Sequence, residues 1–198
     1  RWRARVLVSA MGALHLPKPP DIAGLEDFAG PHWHSARWRH DVDLTGRRVA
    51  VIGTGASAIQ FIPEVARQAA HLAVFQRSAP YVLPRPDGPI SPARRRLFAA
   101  LPPLRALQRR ATYWSQEMRH AIFAGKPGAV RLAMKMWRRH MEAAIRDPAL
   151  REALTPDYEI GCKRILVSTD FFPALARDDV SLVAEPIARI RSEGVETA

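Results

Sequence analysis

The sequence predicts an α/β fold, a parallel sheet interrupted by a helical insertion. Three observations predict it. Arg47 to Ala66, RRVAVIGTGASAIQFIPEVA, runs from a short apolar strand through a glycine turn into a helix. A second apolar strand, Leu72 to Gln76, completes a strand–helix–strand unit of about 30 residues, the size of a parallel crossover. Residues 93–147 then keep helical spacing, before loop and strand patterns return from 151 onward.

Taken in order, Arg5 to Ala10 is an apolar run that reads as a strand ending at Ala10–Gly12. Leu16 to Gly30, LPKPPDIAGLEDFAG, is rich in Pro and Gly and reads as an ordered connector. PHWHSARW and the polar turn Asp43–Gly46 follow. Arg48 to Ile52 is the first strand of the crossover, Ser57 to Gln68 its helix and Leu72 to Gln76 its second strand. Arg77 to Pro92 is too rich in proline for a helix or a central strand.

In the helical stretch, Leu104, Leu107, Ala111, Trp114 and Met118 are spaced by 3, 4, 3 and 4. Val130, Met134, Trp137, Met141 and Ile145 are spaced by 4, 3, 4 and 4. Each set makes one apolar stripe, and core or helix–helix packing is expected of Trp114 and Trp137. Gly125–Gly128, GKPG, separates the two helices, and Ile165–Ser168 and Val180–Val183 are the later strands.

Composition narrows the function classes. The net charge is +11, yet residues 91–150 alone carry +10 and the remaining 138 residues only +1. The basicity therefore belongs to one segment, and no nucleic-acid-binding signature accompanies it. A nucleic-acid partner is not expected, whereas peripheral membrane contact through the basic helices stays open. A single cysteine, Cys162, excludes an internal disulfide framework, fits a reducing cytoplasm and reads as a packing residue. No signal peptide and no bilayer-length apolar run stand in the sequence. His32, His34 and His40 lack acidic or cysteine partners at ligand spacing, so no metal site is expected.

Gly53, Gly55 and Ala58 form G-x-G-x-x-A between strand and helix. The first glycine permits a tight turn, the second lets a pyrophosphate approach the backbone, and the small third residue lets helix and strand pack closely. The helix N-terminus offers free N–H groups and the positive end of its dipole. This is a Rossmann-like dinucleotide turn, with Gly53, Thr54, Gly55, Ala56, Ser57, Ala58 and Gln60 as its candidate binding residues. An acidic residue at the end of the second strand would take a ribose 2′-hydroxyl. The chain has Gln76, Arg77 and Ser78 there instead. Arginine suits a 2′-phosphate through paired hydrogen bonds, so Arg77 and Ser78 favour NADP(H) over NAD(H).

Before the turn, FAGPHWHSARW fits F-x-G-x-x-x-H-x-x-x-W at Phe28, Gly30, His34 and Trp38. Together with the glycine turn, this pattern resembles the fingerprint of Baeyer–Villiger monooxygenases, within the flavin-containing monooxygenase group. VLVSAMG resembles that family's strand ending in Ala-Thr-Gly, VFQRSAPYVLPRPD its 2′-phosphate loop and LTPDYEIGCKRIL its later active-site loop. Met11 and Arg39 depart from the usual residues.

The resemblance implies a flavoprotein with two dinucleotide-binding domains. In it NADPH reduces FAD, and one oxygen of O2 enters a ketone, or oxygenates a sulfur or amine. It implies Arg164 as the cation beside the developing negative charge, Lys163 as a 2′-phosphate contact, and His34 as a positional residue between the domains. On this basis residues 1–27 are the end of an FAD domain and a linker, 28–92 the NADP core, 93–150 a basic helical insertion, and 151–198 the return toward both. The chain shows one glycine motif, the second of the family's pair, and reads as a piece of a longer enzyme. The rival functions are an NADP-binding remnant, an interaction module, or a plain NADP-dependent reductase. For the last, no Tyr-x-x-x-Lys pair is present.

Overall fold

The computed structural model describes residues 3–10, 12, 16–85 and 88–198. Met11, one of the two departures from the resembled pattern, and Pro86 and Asp87 of the proline-rich connector lie outside the described residues. The described chain forms two compact units, residues 44–185 and residues 3–43 with 186–198.

The larger unit is the α/β unit. Its sheet has three strands, β1 (Arg48–Ile52), β2 (His71–Phe75) and β5 (Val180–Val183), in the order β1-β2-β5. All pairing is parallel, with Arg48 opposite His71, Ile52 opposite Phe75, and Leu72 to Phe75 opposite Val180 to Val183. Helix α1 (Ala58–Ala66) makes the crossover from β1 to β2 and packs against α7 (Phe171–Leu175). Ile62, Leu72, Val74 and Phe171 are fully enclosed there. Each such side chain withdraws enough apolar surface to contribute about 1.5–3 kcal/mol.

β1 and β5 have the bounds the sequence predicts, and β2 runs one residue earlier. A short parallel pair, β3 (Val82–Leu83) with β4 (Leu166–Val167), lies apart from the main sheet. Its first strand falls inside the proline-rich segment expected to form no helix and no central strand, and β3 is neither. Two residues before Pro84 suffice, because Leu166 N–H donates to the Tyr81 carbonyl at 2.8 Å and Ser168 N–H to the Leu83 carbonyl at 3.0 Å. Proline's missing donor is therefore not needed.

The helical stretch breaks into α2 (Pro92–Ala100), α3 (Pro102–Glu117), α4 (His120–Phe123), α5 (Pro127–Ala144) and α6 (Pro148–Ala153). Four of these five, all but α4, begin on proline, whose fixed φ and missing N–H suit the first helical position. Of the two apolar stripes, only the second is core. On α5, Trp137 and Met141 are buried, as is Ile145 just beyond it, and the helix packs on β3 and α7. On α3 the expectation fails: Leu107, Trp114 and Met118 are 63%, 62% and 75% exposed, and no residue of α2 or α3 is buried. Periodicity gives a helix an apolar face but does not supply a neighbour to cover it. Among the described residues no helix is long and apolar enough to cross a membrane.

The smaller unit holds a hairpin, β6 (Ile187–Arg191) with β7 (Gly194–Thr197), and the connector of residues 16–43. Ile190 N–H donates to the Ala23 carbonyl at 2.8 Å and Ala29 N–H to the Ser192 carbonyl at 3.1 Å, so the connector lies along β6. The strand expected at Arg5–Ala10 does not form. Val6, Leu7 and Val8 are 75%, 91% and 80% exposed. An apolar run becomes a strand only with a ladder partner, and none pairs with it among the described residues.

Candidate functional site

The glycine turn sits where the sequence predicts it, and its geometry explains each glycine separately. Gly53 has φ +101°, a conformation that favours glycine. Its N–H donates to the Phe75 carbonyl at 2.8 Å, which pins the start of the turn to β2. Gly55 is exposed, and a Cβ built there would meet no protein atom within 4 Å. The space beside Gly55 is thus open, which fits a ligand that must touch backbone. Ala58 is 7% exposed against the sheet, as the small third position requires. The Gly55 carbonyl accepts from Ile59 N–H at 3.1 Å and opens the helix. Gln60 Nε2 donates to the Ala56 carbonyl at 2.7 Å and braces the turn from outside. Ser57 caps α1 without a side-chain hydrogen bond, and Thr54 is buried at 8% exposure.

Parallel pairing brings the second half of the site to the same edge. Ile52 and Phe75 are register partners, so Gly53 and Gln76 leave the sheet side by side at its C-terminal edge. Gln76 N–H still bonds the Val183 carbonyl at 2.8 Å, which extends the ladder one residue past β2. Gln76 Nε2 donates to the Ala153 carbonyl at 2.8 Å, while its buried Oε1 has no partner. Arg77 and Ser78 follow, both exposed. This edge is where parallel α/β sheets hold their ligands.

Lys163 and Arg164 lie on the exposed loop between α6 and β4. Lys163 Nζ stands 4.1 Å from the centroid of the Tyr158 ring. Cys162, expected to pack, is exposed on the same loop. Tyr81 and Tyr158 are the residues sequence reasoning missed. The Tyr81 hydroxyl donates to the Tyr158 carbonyl at 2.9 Å. Burial is the main force pushing both hydroxyls above the usual tyrosine range, so Tyr81 stays protonated and able to donate. Tyr81 stands in the quoted VFQRSAPYVLPRPD stretch, but nothing in the spacing marks it as a contact of Tyr158.

His34 belongs to the smaller unit. Its Nδ1 accepts from Ala36 N–H at 3.1 Å and caps a turn of 3-10 helix, Ser35–Arg37. The fingerprint's first two residues also have a local reason: a Cβ on Gly30 would lie 2.7 Å from the Phe28 ring, so the glycine makes room for the phenylalanine. Trp33 and Trp38 meet edge-on at 5.7 Å, and Arg39, in place of the usual residue, pairs with Asp41.

The family model for flavin-binding monooxygenase-like proteins matches residues 6–92. A Baeyer–Villiger monooxygenase of Streptomyces coelicolor is 47% identical over 195 residues, covering 98% of this chain and 38% of that protein. Residues 6–92 thus match the flavin-binding monooxygenase-like family, and nearly the whole chain is similar to a Baeyer–Villiger monooxygenase. A Baeyer–Villiger monooxygenase of Pseudomonas aeruginosa is 44% identical over 194 residues, with 98% and 37% covered. The solved structure of an oxidised steroid monooxygenase bound to NADP superposes with a TM-score of 0.76 at 36% identity, over 95% of this chain and 43% of that one. The chain thus spans less than two fifths of the length of these curated relatives, and its parallel α/β architecture is the Rossmann-like one of the solved family members.

Proposed function

We propose that the Gly53–Ala58 turn holds the pyrophosphate of NADP(H), and that Arg77, Ser78 and Lys163 select its 2′-phosphate. The observation that carries this is the register of β1 and β2, which puts the open glycine turn and Arg77 at one edge of the sheet. An arginine there attracts a phosphate where an acidic residue would repel it. The site serves an NADPH- and FAD-dependent monooxygenase that uses O2 to insert oxygen into a small-molecule ketone, or to oxygenate a sulfur or amine. The bound nicotinamide supplies a hydride for flavin reduction. The chain's own residues bind and orient it: backbone N–H groups at the start of α1 face the pyrophosphate, and Lys163 contributes charge from its loop. Arg164 supplies the cation beside the developing negative charge, and His34 holds its turn in place. FAD is assigned through the family alone, because the chain's one glycine motif is taken by NADP(H). The relatives lend no support to membrane contact through the basic helices.

The test is a pair of titrations with NADP⁺ and NAD⁺. Arg77→Ala should weaken NADP⁺ binding about tenfold to a hundredfold, the worth of a charge-assisted hydrogen bond, and leave NAD⁺ binding unchanged. Equal losses for both nucleotides would remove Arg77 from the 2′-phosphate. NADPH oxidation that proceeds at full rate without flavin would favour a plain reductase instead.

A further inference from the structure

We infer that Tyr81 is a positioning residue, a clasp that fixes the 158–166 loop so that Lys163 is held ready for a 2′-phosphate. This rests on the NADP(H) assignment above. Tyr81 grips the loop at both ends. Its hydroxyl donates to the Tyr158 carbonyl at 2.9 Å, and its own carbonyl accepts from Leu166 N–H at 2.8 Å. Between those two points stand the exposed cations Lys163 and Arg164.

The support reaches back to the core by ring contacts. The Tyr81 ring meets the buried Trp137 edge-on, with centroids 5.2 Å apart. It meets the Tyr158 ring in the same manner at 5.4 Å. The Lys163 ammonium lies over the Tyr158 ring. A lysine on a flexible stem loses rotamer freedom when it binds an anion. A ring that already localises the ammonium by cation–π attraction reduces that loss. The segment carrying Arg77 and Ser78 hangs on the same frame. Gln76 ties its start to Ala153, and Tyr81 ties its end to Tyr158. Movement of either loop therefore strains a bond to the other.

Two readouts separate the clasp from the cofactor assignment. Tyr81→Phe deletes one hydroxyl and keeps both ring contacts. Tryptic cleavage after Lys163 and Arg164 should speed up about fivefold, the change expected from one lost hydrogen bond. Affinity for adenosine 2′,5′-bisphosphate should fall by a similar factor, and affinity for 5′-AMP should stay. Tyr158→Phe, which keeps the ring under Lys163, should bind the bisphosphate like the parent, whereas Tyr158→Leu should lose about twofold to fivefold of the preference for it. Unchanged cleavage and unchanged bisphosphate affinity in Tyr81→Phe would overturn the clasp. A parent protein that binds the two nucleotides equally would overturn the phosphate role and the cofactor assignment with it. Faster cleavage in Tyr81→Phe would then still uphold the clasp on the loop alone.

Discussion

Gly55→Ala leaves the protein as stable as the parent, or more stable, and weakens NADP⁺ binding by about tenfold or more. The stability half follows from the protein alone. Gly55 has no positive φ, and its Cβ would meet nothing within 4 Å, so alanine enters without strain. At such sites the replacement gains about 0.4–1 kcal/mol by restricting the unfolded chain. The binding half follows from the proposal. If a pyrophosphate lies against this backbone, a methyl takes the space it needs, and overpacking of that kind costs about 1–3 kcal/mol. Gly53→Ala behaves differently. At φ +101° alanine is strained in the folded state, so stability and binding fall together. Thermal unfolding and an NADP⁺ titration of the two variants decide the matter. Parental affinity in Gly55→Ala would mean that no phosphate approaches the turn.

What the sequence made legible here is local. A strand, a glycine turn and a helix follow one another within twenty residues, and each announces itself by its own spacing. β1 and β5 were readable because strands of a parallel sheet are short apolar runs between polar turns. Partner choice was not readable. Arg5–Ala10 has the same apolar character as β1 and forms no strand, because a strand is a property of two segments. Trp114 and Trp137 occupy equivalent places on equivalent stripes, yet one is 62% exposed and the other 2%. The difference lies in what packs against each helix, and helical period carries no information about that. β3 was hidden by its neighbouring prolines, and the β6–β7 hairpin by the charged residues Arg189, Arg191 and Glu196 within its strands.

The candidate site divides along the same line. The glycine turn and Arg77 could be singled out from residue type and place in the sequence, whereas Lys163 and Arg164 came only through the family resemblance. Tyr81, Tyr158 and Gln76 were not legible, because their roles arise from contacts 77 residues apart in sequence. His34 was legible as a residue of interest, but its backbone cap could be seen only in three dimensions.

Gly24→Ala should be the most destabilising single change in the smaller unit, at about 3 kcal/mol, the sum of a left-handed residue's strain, a lost hydrogen bond and lost apolar burial. Gly24 has φ +79°, and a Cβ there would stand 2.1 Å from the Ile190 carbonyl oxygen. That atom is backbone, so no side-chain rotation relieves the clash. The connector would have to lift from β6. Lifting breaks the 2.8 Å bond from Ile190 N–H to the Ala23 carbonyl and uncovers Ile190, which is 4% exposed. It also separates Asp27 from Arg189, an exposed pair at 3.9 Å that contributes little. The measurement is amide hydrogen exchange. In the parent the Ile190 amide should be protected, and in Gly24→Ala its exchange should accelerate by about a hundredfold, the factor that corresponds to 3 kcal/mol of lost local stability. Gly24→Asn separates the two causes. Asparagine tolerates the left-handed conformation but carries the same Cβ. If backbone strain were the whole effect, Gly24→Asn would restore protection. The 2.1 Å approach says that it will not, and restored protection would show that the connector does not lie against β6 at Gly24.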